Sequence, residues 1–410
     1  MNRLKHILSS RQFDLGFLIN LYKDASLIAD LMQTREGKEL LTHVLPGYVL
    51  GEMFWQESSR TYHSFAAATK RLGAEAVSER GVKKTRVING KIVTKWELVF
   101  SSETKDAHFE DEVRAWASYY DALILRTAEE GLVARAAAIV DEFGYDVPII
   151  NAGDGLGEHP TQTLLDLLTF FQGLKLDIEK DWNKLSKHSV AFINDGKHSR
   201  TIHSFALTLG KIFNVPITNI CPPGLEMPRD LVAEITAAGC DFKETNELCE
   251  ADVYYVTRLQ REYFKTAKEF KEYKNYFSIT RETADKYGVK VVMHPFPRSK
   301  EGNELPIWLP SDPTTHSISL DKDPRAFYFY QMKIGVPVRM ALLKYLLNPH
   351  LELKKLQEEK LVHEIKAQCL GCRRIEYREV GWTERAPKCG YIETVGHTFC
   401  PSCQPEPATT

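Results

Sequence analysis

The sequence predicts an α/β protein with doubly wound parallel sheets, followed by a small C-terminal zinc ribbon. Three observations lead there. From about residue 45 to 345, short apolar and β-branched runs alternate with longer amphipathic stretches, as parallel strands alternate with the helices that cover them. Almost every such run stops at a polar or charged cluster. Two Cys-x-x-Cys pairs fall within the last 42 residues.

In chain order, the strand candidates are Tyr48–Trp55, Ala122–Leu125, Val147–Ile150, Val190–Ile193, Val253–Val256 and Val291–Met293. They are followed by Glu57-Ser58-Ser59-Arg60-Thr61, Arg126, Asn151-Ala152-Gly153-Asp154, Asn194-Asp195, Thr257-Arg258 and His294-Pro295 respectively. Open α/β sheets bind ligands beyond the carboxyl ends of their strands, so this repetition predicts one site collected from many segments. Val82–Phe100 reads as a hairpin around Asn89-Gly90, a type I′ turn signal. Residues 299–325, rich in Pro, Gly and Ser, read as a long loop. Residues 349–366 read as a charged helical linker, 367–404 as the zinc segment and 405–410 as a disordered tail.

Composition narrows the function. The 410 residues suffice for two or three domains at about 150 residues each. Fifty-three Lys and Arg against 55 Asp and Glu leave a formal charge of −2, so no global basic field draws nucleic acid or an anionic membrane. Any bound anion needs a local cluster. The N-terminal stretch is interrupted by charges and no long apolar run appears, which reads as a cytoplasmic protein.

Cys369-x-x-Cys372 and Cys400-x-x-Cys403 predict a structural zinc site with four cysteine ligands, because each pair sets two thiolates at one corner of a tetrahedral ion. Disulfides and redox chemistry are the weaker alternatives. Cys389, between the pairs, is a substitute ligand. With four thiolates filled, such a zinc has no open position for catalysis.

The chemistry sits at the strand ends. Ser58-Ser59-Arg60-Thr61 precedes a helical pattern, where free N–H groups, hydroxyls and a guanidinium make an anion pocket; simple helix capping is the plainer reading. His159-Pro160 opens a helix carrying Gln162, and the helix dipole disfavours a charged imidazole there. Arg200 and Arg258 follow two further strands and suit the carboxylates of a small acidic substrate, although either alone reads as a surface ion pair.

Taken together, Ser58-Ser59-Arg60-Thr61, Asn151–Asp154 with His159-Pro160-Thr161-Gln162-Thr163, Arg200-Thr201-x-His203, Thr257-Arg258-x-Gln260 and His294-Pro295-Phe296-Pro297-Arg298 resemble the aspartate carbamoyltransferase catalytic-chain family over roughly residues 10–348. The resemblance implies two doubly wound parallel-sheet domains joined by interdomain helices. These would be a carbamoyl-phosphate-binding domain at 1–155, an aspartate-binding domain at 156–325 and a returning helix at 326–348. It implies transfer of a carbamoyl group from carbamoyl phosphate to L-aspartate, in pyrimidine biosynthesis, by homotrimers with shared sites and without a catalytic cofactor. By motif, Ser58, Ser59, Arg60, Thr61 and Arg126 would hold the phosphate. Thr61, Arg126 and His159 would polarise the carbonyl, and Gln162 with the backbone at Phe296-Pro297 would bind the amide nitrogen. Arg200, Arg258 and Gln260 would receive the aspartate carboxylates. Ser101 and Lys105, from a neighbouring subunit, would complete the site, with Ser102 an alternative to Ser101.

The sequence departs from the family at several points. Lys105 is followed by Asp-Ala rather than Gly-Glu, and the hairpin reads as an insertion just before it. Tyr62, Ala66 and Phe296 replace a common arginine, glutamate and leucine. An ornithine-type enzyme is the nearest rival, but Pro295 stands where that family has cysteine, and Ser-Met-Gly is absent. The other rival is an inactive scaffold or nucleic-acid binder working through the zinc segment. The balance of charge between Cys369 and Cys403 gives little support to a phosphate-backbone reader. The ribbon is expected to clamp subunits together in cis.

Overall fold

The computed structural model describes residues 3–88, 91–99, 107–155, 157–264, 266–274, 276–301 and 303–356, together with 365–369, 375–377, 381–383 and 397–398. The chain opens with α1 (Leu15–Leu31) and α2 (Arg35–Leu41). Asp14 starts α1 by accepting a hydrogen bond from the backbone N–H of Phe17, and Phe17, Leu18, Leu21, Tyr22, Ala25 and Ile28 form its buried stripe.

Then follow β1 (Val49–Phe54), α3 (Ser59–Arg71), β2 (Glu75–Ile88), β3 (Lys91–Leu98), α4 (Phe109–Tyr119), β4 (Ala122–Thr127), α5 (Leu132–Glu142) and β5 (Ile149–Asp154). Their sheet has the order β3-β2-β1-β4-β5. β2 does two things. Its first half pairs parallel with β1, Val49 opposite Glu75 through Phe54 opposite Arg80. Its second half pairs antiparallel with β3, from Gly81 opposite Leu98 to Ile88 opposite Lys91. The hairpin is therefore a continuation of a sheet strand, and it makes the first sheet mixed rather than wholly parallel. The turn residues Asn89 and Gly90 lie outside the described residues.

The second half contains α6 (Pro160–Gly173), α7 (Ile178–Asp181), β6 (Val190–Ile193), α8 (Arg200–Phe213), β7 (Ile217–Ile220), α9 (Arg229–Ala237), β8 (Phe242–Thr245) and β9 (Val253–Val256). After these come α10 (Ala267–Tyr273), α11 (Arg281–Lys286), β10 (Val291–Met293), α12 (Thr314–Ile318) and α13 (Tyr328–Leu347). This sheet runs β10-β9-β6-β7-β8, all parallel. Beyond the expected strands and hairpin, the first sheet adds the parallel first half of β2, and the second adds β7 and β8. The expected hairpin accounts for β3 and part of β2. The 299–325 segment is irregular apart from α12.

α13 packs on α1, α3 and α6, which ties the end of the second half to the first. Lys344 Nζ bridges Asp24 Oδ2 on α1 at 2.9 Å, and Asn348 Nδ2 donates to the Val44 carbonyl at 2.9 Å. Beyond it, β11 (Ile365–Cys369), β12 (Ile375–Tyr377), β13 (Gly381–Thr383) and β14 (His397–Thr398) form a sheet in the order β13-β12-β11-β14. β11 takes up the last two residues of the expected helical linker. Cys369 ends β11, while Cys372, Cys389, Cys400 and Cys403 lie outside the described residues. Among the described residues, no helix is long and apolar enough to cross a membrane.

Glu52, in the middle of β1, is fully buried and accepts a hydrogen bond from Ser78 Oγ at 2.8 Å. Burial pushes its pKa from 4.5 up to about 7, because desolvation penalises the charged form. The folded state therefore holds this proton more tightly than the unfolded chain. The associated stability is present in full below about pH 4.5 and is lost as pH rises to about 7. The whole loss is roughly 3 kcal/mol. Glu52→Gln is expected to raise the melting temperature at about pH 8 and to flatten the decline between about pH 5 and 7. Calorimetry showing the same pH slope in both proteins would contradict this assignment.

Candidate active site

The carboxyl ends of both sheets open into one cavity of about 1030 Å³. Ser58, Ser59, Arg60, Thr61, Arg126, His159, Gln162, Arg200, Arg258, Gln260, Phe296 and Pro297 all line it. Twelve of the fourteen residues expected at the active site, spread over 240 positions of sequence, thus meet in one cavity. The other two, Ser101 and Lys105, lie outside the described residues.

The phosphate-type pocket is built where β1 gives way to α3. Ser58 is the N-cap of α3, but its hydroxyl makes no capping bond to the helix backbone. Instead it donates to Thr61 Oγ1 at 3.0 Å, and Thr61 Oγ1 lies 3.4 Å from His159 Nε2. The N-terminal amides of α3 are thereby left for a ligand, as suits an anion at a helix start. Simple capping, the plainer reading of these serines, is not what Ser58 does.

Arg126 leaves the end of β4 and is 7% exposed. Its Nη1 donates to the Ala152 carbonyl at 2.9 Å, while its buried Nε has no hydrogen-bond partner among the described residues. Gly153 makes this possible. A Cβ there would stand 2.4 Å from Arg126 Nη1, and its φ of +128° is one that side chains disfavour. The Asn151–Asp154 segment, the carboxyl end of β5 rather than a turn after it, therefore lets a guanidinium pass close to the backbone.

His159 is the N-cap of α6, with Pro160 at the first helical position. Burial, followed by the nearby cations of Arg126, Arg200 and Arg339, holds its pKa well below 6.5. The ring is neutral at physiological pH and carries one N–H, a donor without a positive charge. Arg126 is likewise pushed down by burial and by Arg200 and Arg60, and Arg60 by burial and Arg258. These guanidiniums repel one another. Six arginines (60, 80, 126, 200, 258 and 339) line the cavity and the only acidic lining residue among those described is Glu57, so the arrangement favours a multiply charged anion.

The second sheet supplies the other wall. Arg200 begins α8 and donates through Nη1 to the Gly155 carbonyl. Asp195, fully buried at the end of β6, accepts from the backbone N–H groups of His198 at 3.0 Å and Gln260 at 3.4 Å, joining the two segments that carry Arg200 and Arg258. Asn194, at φ +92°, turns the chain out of β6 and donates through Nδ2 to the Thr257 carbonyl at 2.7 Å. After β10, His294 Nδ1 accepts from the Phe296 N–H at 2.8 Å, and Phe296, at φ +55°, turns the backbone of the 294–297 segment into the cavity wall.

Sequence reasoning missed Asp166, Gln331 and Arg339. Asp166 and Arg339 are the lone charges in otherwise apolar helical runs, Thr163–Phe171 and Val336–Leu343, and that isolation was the available signal. Both are buried, and Gln331 and Arg339 line the cavity. Among the described residues, no group of three or more His, Cys, Asp or Glu side chains could hold a metal ion.

Known proteins resemble this chain in sequence and fold. Residues 5–172 match the family description "Aspartate/ornithine carbamoyltransferase, carbamoyl-P binding domain", and 186–346 match "Aspartate/ornithine carbamoyltransferase, Asp/Orn binding domain". An aspartate carbamoyltransferase catalytic subunit from Methanocaldococcus jannaschii is 33% identical over 352 residues, covering 84% of this chain and 98% of the relative. The counterpart from Methanothrix thermoacetophila is 35% identical over 360 residues, covering 85% of this chain and all of the relative. Among solved structures, the M. jannaschii catalytic subunit superposes with a TM-score of 0.67 at 31% identity, covering 85% of this chain and 99% of that one. Aspartate transcarbamoylase from Trypanosoma cruzi, in complex with carbamoyl phosphate and aspartate, superposes at 0.64 and 30% identity, covering 84% and 95%. With both domains matched end to end, and an arginine-lined cleft between them, the chain belongs to the aspartate/ornithine carbamoyltransferase family.

Proposed function

We propose that this chain is an aspartate carbamoyltransferase, converting carbamoyl phosphate and L-aspartate to N-carbamoyl-L-aspartate and phosphate in pyrimidine biosynthesis. The observation that carries the reading is the lining itself: six arginines, one glutamate and a neutral histidine converge where two sheets meet. The reactants bring a phosphate and two carboxylates to such a cavity.

In this reading the phosphate binds at the start of α3 to Ser58, Ser59, Arg60 and Thr61, with Arg126 beside it. The carbonyl oxygen faces Thr61, Arg126 and His159, and the amide nitrogen faces Gln162 and the backbone at Phe296-Pro297. Arg200, Arg258 and Gln260 take the aspartate carboxylates. The aspartate amine attacks the carbonyl carbon directly, so no protein nucleophile is needed. As the new C–N bond forms, negative charge grows on the carbonyl oxygen, where the three donors stabilise it. The bond from carbon to the phosphate oxygen then breaks, and the departing phosphate accepts the amine proton. Catalysis rests on orientation and on fixed donors.

A second carboxylate on the acceptor matches Arg200 and Arg258 better than an ammonium group does, which favours aspartate over ornithine. A phosphate-release assay is expected to show turnover with L-aspartate and none above background with L-ornithine. Turnover with ornithine alone would reverse the assignment. His159→Asn is expected to lower kcat by about 10²-fold or more. Imidazole nitrogen NMR on the wild-type protein is expected to show a ring neutral from about pH 8 to 5.5. An imidazole that titrates near 6.5 would remove this role for the neutral ring.

The assembly belongs to the same proposal. We read the chain as a cytoplasmic homotrimer in which Ser101, or Ser102, and Lys105 of one subunit complete the site of the next. Cys369, Cys372, Cys400 and Cys403 hold a structural zinc that helps clamp the subunits. Native mass measurement is expected to give a trimer carrying one zinc per chain, and smaller species after chelation; an oligomer unchanged by complete zinc removal would sink the clamp. Mixed trimers of Lys105→Ala and His159→Asn are expected to regain activity that neither variant has alone. Failure to regain it would argue against shared sites.

A further inference from the structure

The transfer chemistry leaves one buried carboxylate unused. Asp166 lies one helical turn beyond Gln162 on α6 and is fully buried. Its hydrogen bonds are all acceptances. Oδ1 takes Gln162 Nε2 at 2.8 Å and Gln331 Nε2 at 2.6 Å, and Oδ2 takes the Tyr255 hydroxyl at 2.7 Å. Gln331, on α13, uses its other amide atom too: Oε1 accepts from the backbone N–H of His294 at 2.9 Å.

A primary amide has a donor end and an acceptor end of nearly identical shape, so only its partners decide which way it faces. An ionised carboxylate only accepts. It therefore draws the NH2 ends of both glutamines toward itself, which leaves Gln162 Oε1 as the end available to the cavity. Gln331 Oε1 is left to hold His294, two residues before Phe296. Three donors and the buried cation of Arg339 favour the ionised form, against burial that pushes its pKa up to about 7.

Resting on the proposed carbamoyl transfer, we propose that Asp166 is a positioning residue that sets the orientation of Gln162 and, through Gln331, the 294–297 backbone, so that the cavity selects an acyl phosphate bearing an NH2 group. A carbamoyl nitrogen has two N–H donors. The Gln162 Oε1 and the backbone carbonyls at Phe296-Pro297 are acceptors. Acetyl phosphate has the same phosphate and carbonyl but a methyl group in place of the nitrogen, so it cannot use this half of the site.

Asp166→Asn puts a donor where the wild type has only acceptors, and frees Gln162 to turn. At about pH 8, the variant is expected to lose about tenfold in kcat/KM for carbamoyl phosphate, while its inhibition constants for acetyl phosphate and inorganic phosphate change less than about twofold. In a Gln162→Ala background the same substitution is expected to cost less carbamoyl phosphate affinity than it does in the wild type, since only the route through Gln331 remains. Equal losses for carbamoyl phosphate, acetyl phosphate and inorganic phosphate would show a general packing role and overturn the proposal. Unchanged kinetics would overturn it as well. If Asp166→Asn does not fold, Gln331→Leu cuts the same chain of bonds outside the carboxylate, and is held to the same selective loss. A wild-type protein that releases phosphate with neither amine overturns the functional reading itself, and this inference with it.

Discussion

The structure depends on holding several guanidiniums close together around one cavity, where Glu57 is the only acidic lining residue among those described. Arg126 is the hardest case, nearly buried, with its Nε unbonded and its neighbours Arg200 and Arg60 of like charge. Left to itself such a cluster would spread toward solvent. What prevents it is backbone. The Ala152 carbonyl takes Arg126, the Gly155 carbonyl takes Arg200, and Gly153 leaves room for both at the end of β5. Carbonyl dipoles hold the cations in place but do not cancel them. The unbalanced charge is left for a ligand, and a dianionic phosphate with two carboxylates is the kind of ligand that relieves it.

The same field explains the histidine. A protonated imidazole is the stronger donor to a developing negative charge. Here the surrounding cations make that form costly, and burial makes it costlier. A neutral ring keeps one N–H, adds no further repulsion to the arginines and needs no proton to be present at the working pH. α6 is therefore central to the architecture. It follows the last strand of the first sheet, carries His159 at its start and Gln162 one turn later, and packs on both α8 and α13. A shift of this helix would move His159 and Gln162 together.

What could be read from the sequence was the set of strand ends. Short fully buried strands are contiguous apolar runs, and a polar cluster directly after one is local information. The strands that escaped notice lack that pattern for physical reasons. β8, Phe242–Thr245, is the outer strand of its sheet and carries Lys243 and Glu244 side by side, which breaks any apolar run. β7, Ile217–Ile220, is only four residues long and contains Thr218 and Asn219. The parallel half of β2 is rich in charge because it runs on into an exposed hairpin. Each was hidden by an edge or by length, not by an unusual conformation.

The same distinction separates the site residues that were found from those that were not. Arg60 or Gln162 announces itself through the few residues around it. Asp166 does not, since its meaning lies in partners 89 and 165 positions away, on β9 and α13. A lone acid in the apolar run of α6 signals that something must satisfy it, but the sequence alone does not say what. The fold answers by bringing the strand end, the inner helix and the returning helix to one point. This gives α13 a reason to return across both halves of the molecule. It closes the hydrophobic core, and it also delivers Gln331 to the one carboxylate that can orient it. The near-neutral chain thus gathers cations at the cavity and sets buried, acceptor-only acids such as Asp166 and Asp195 behind them.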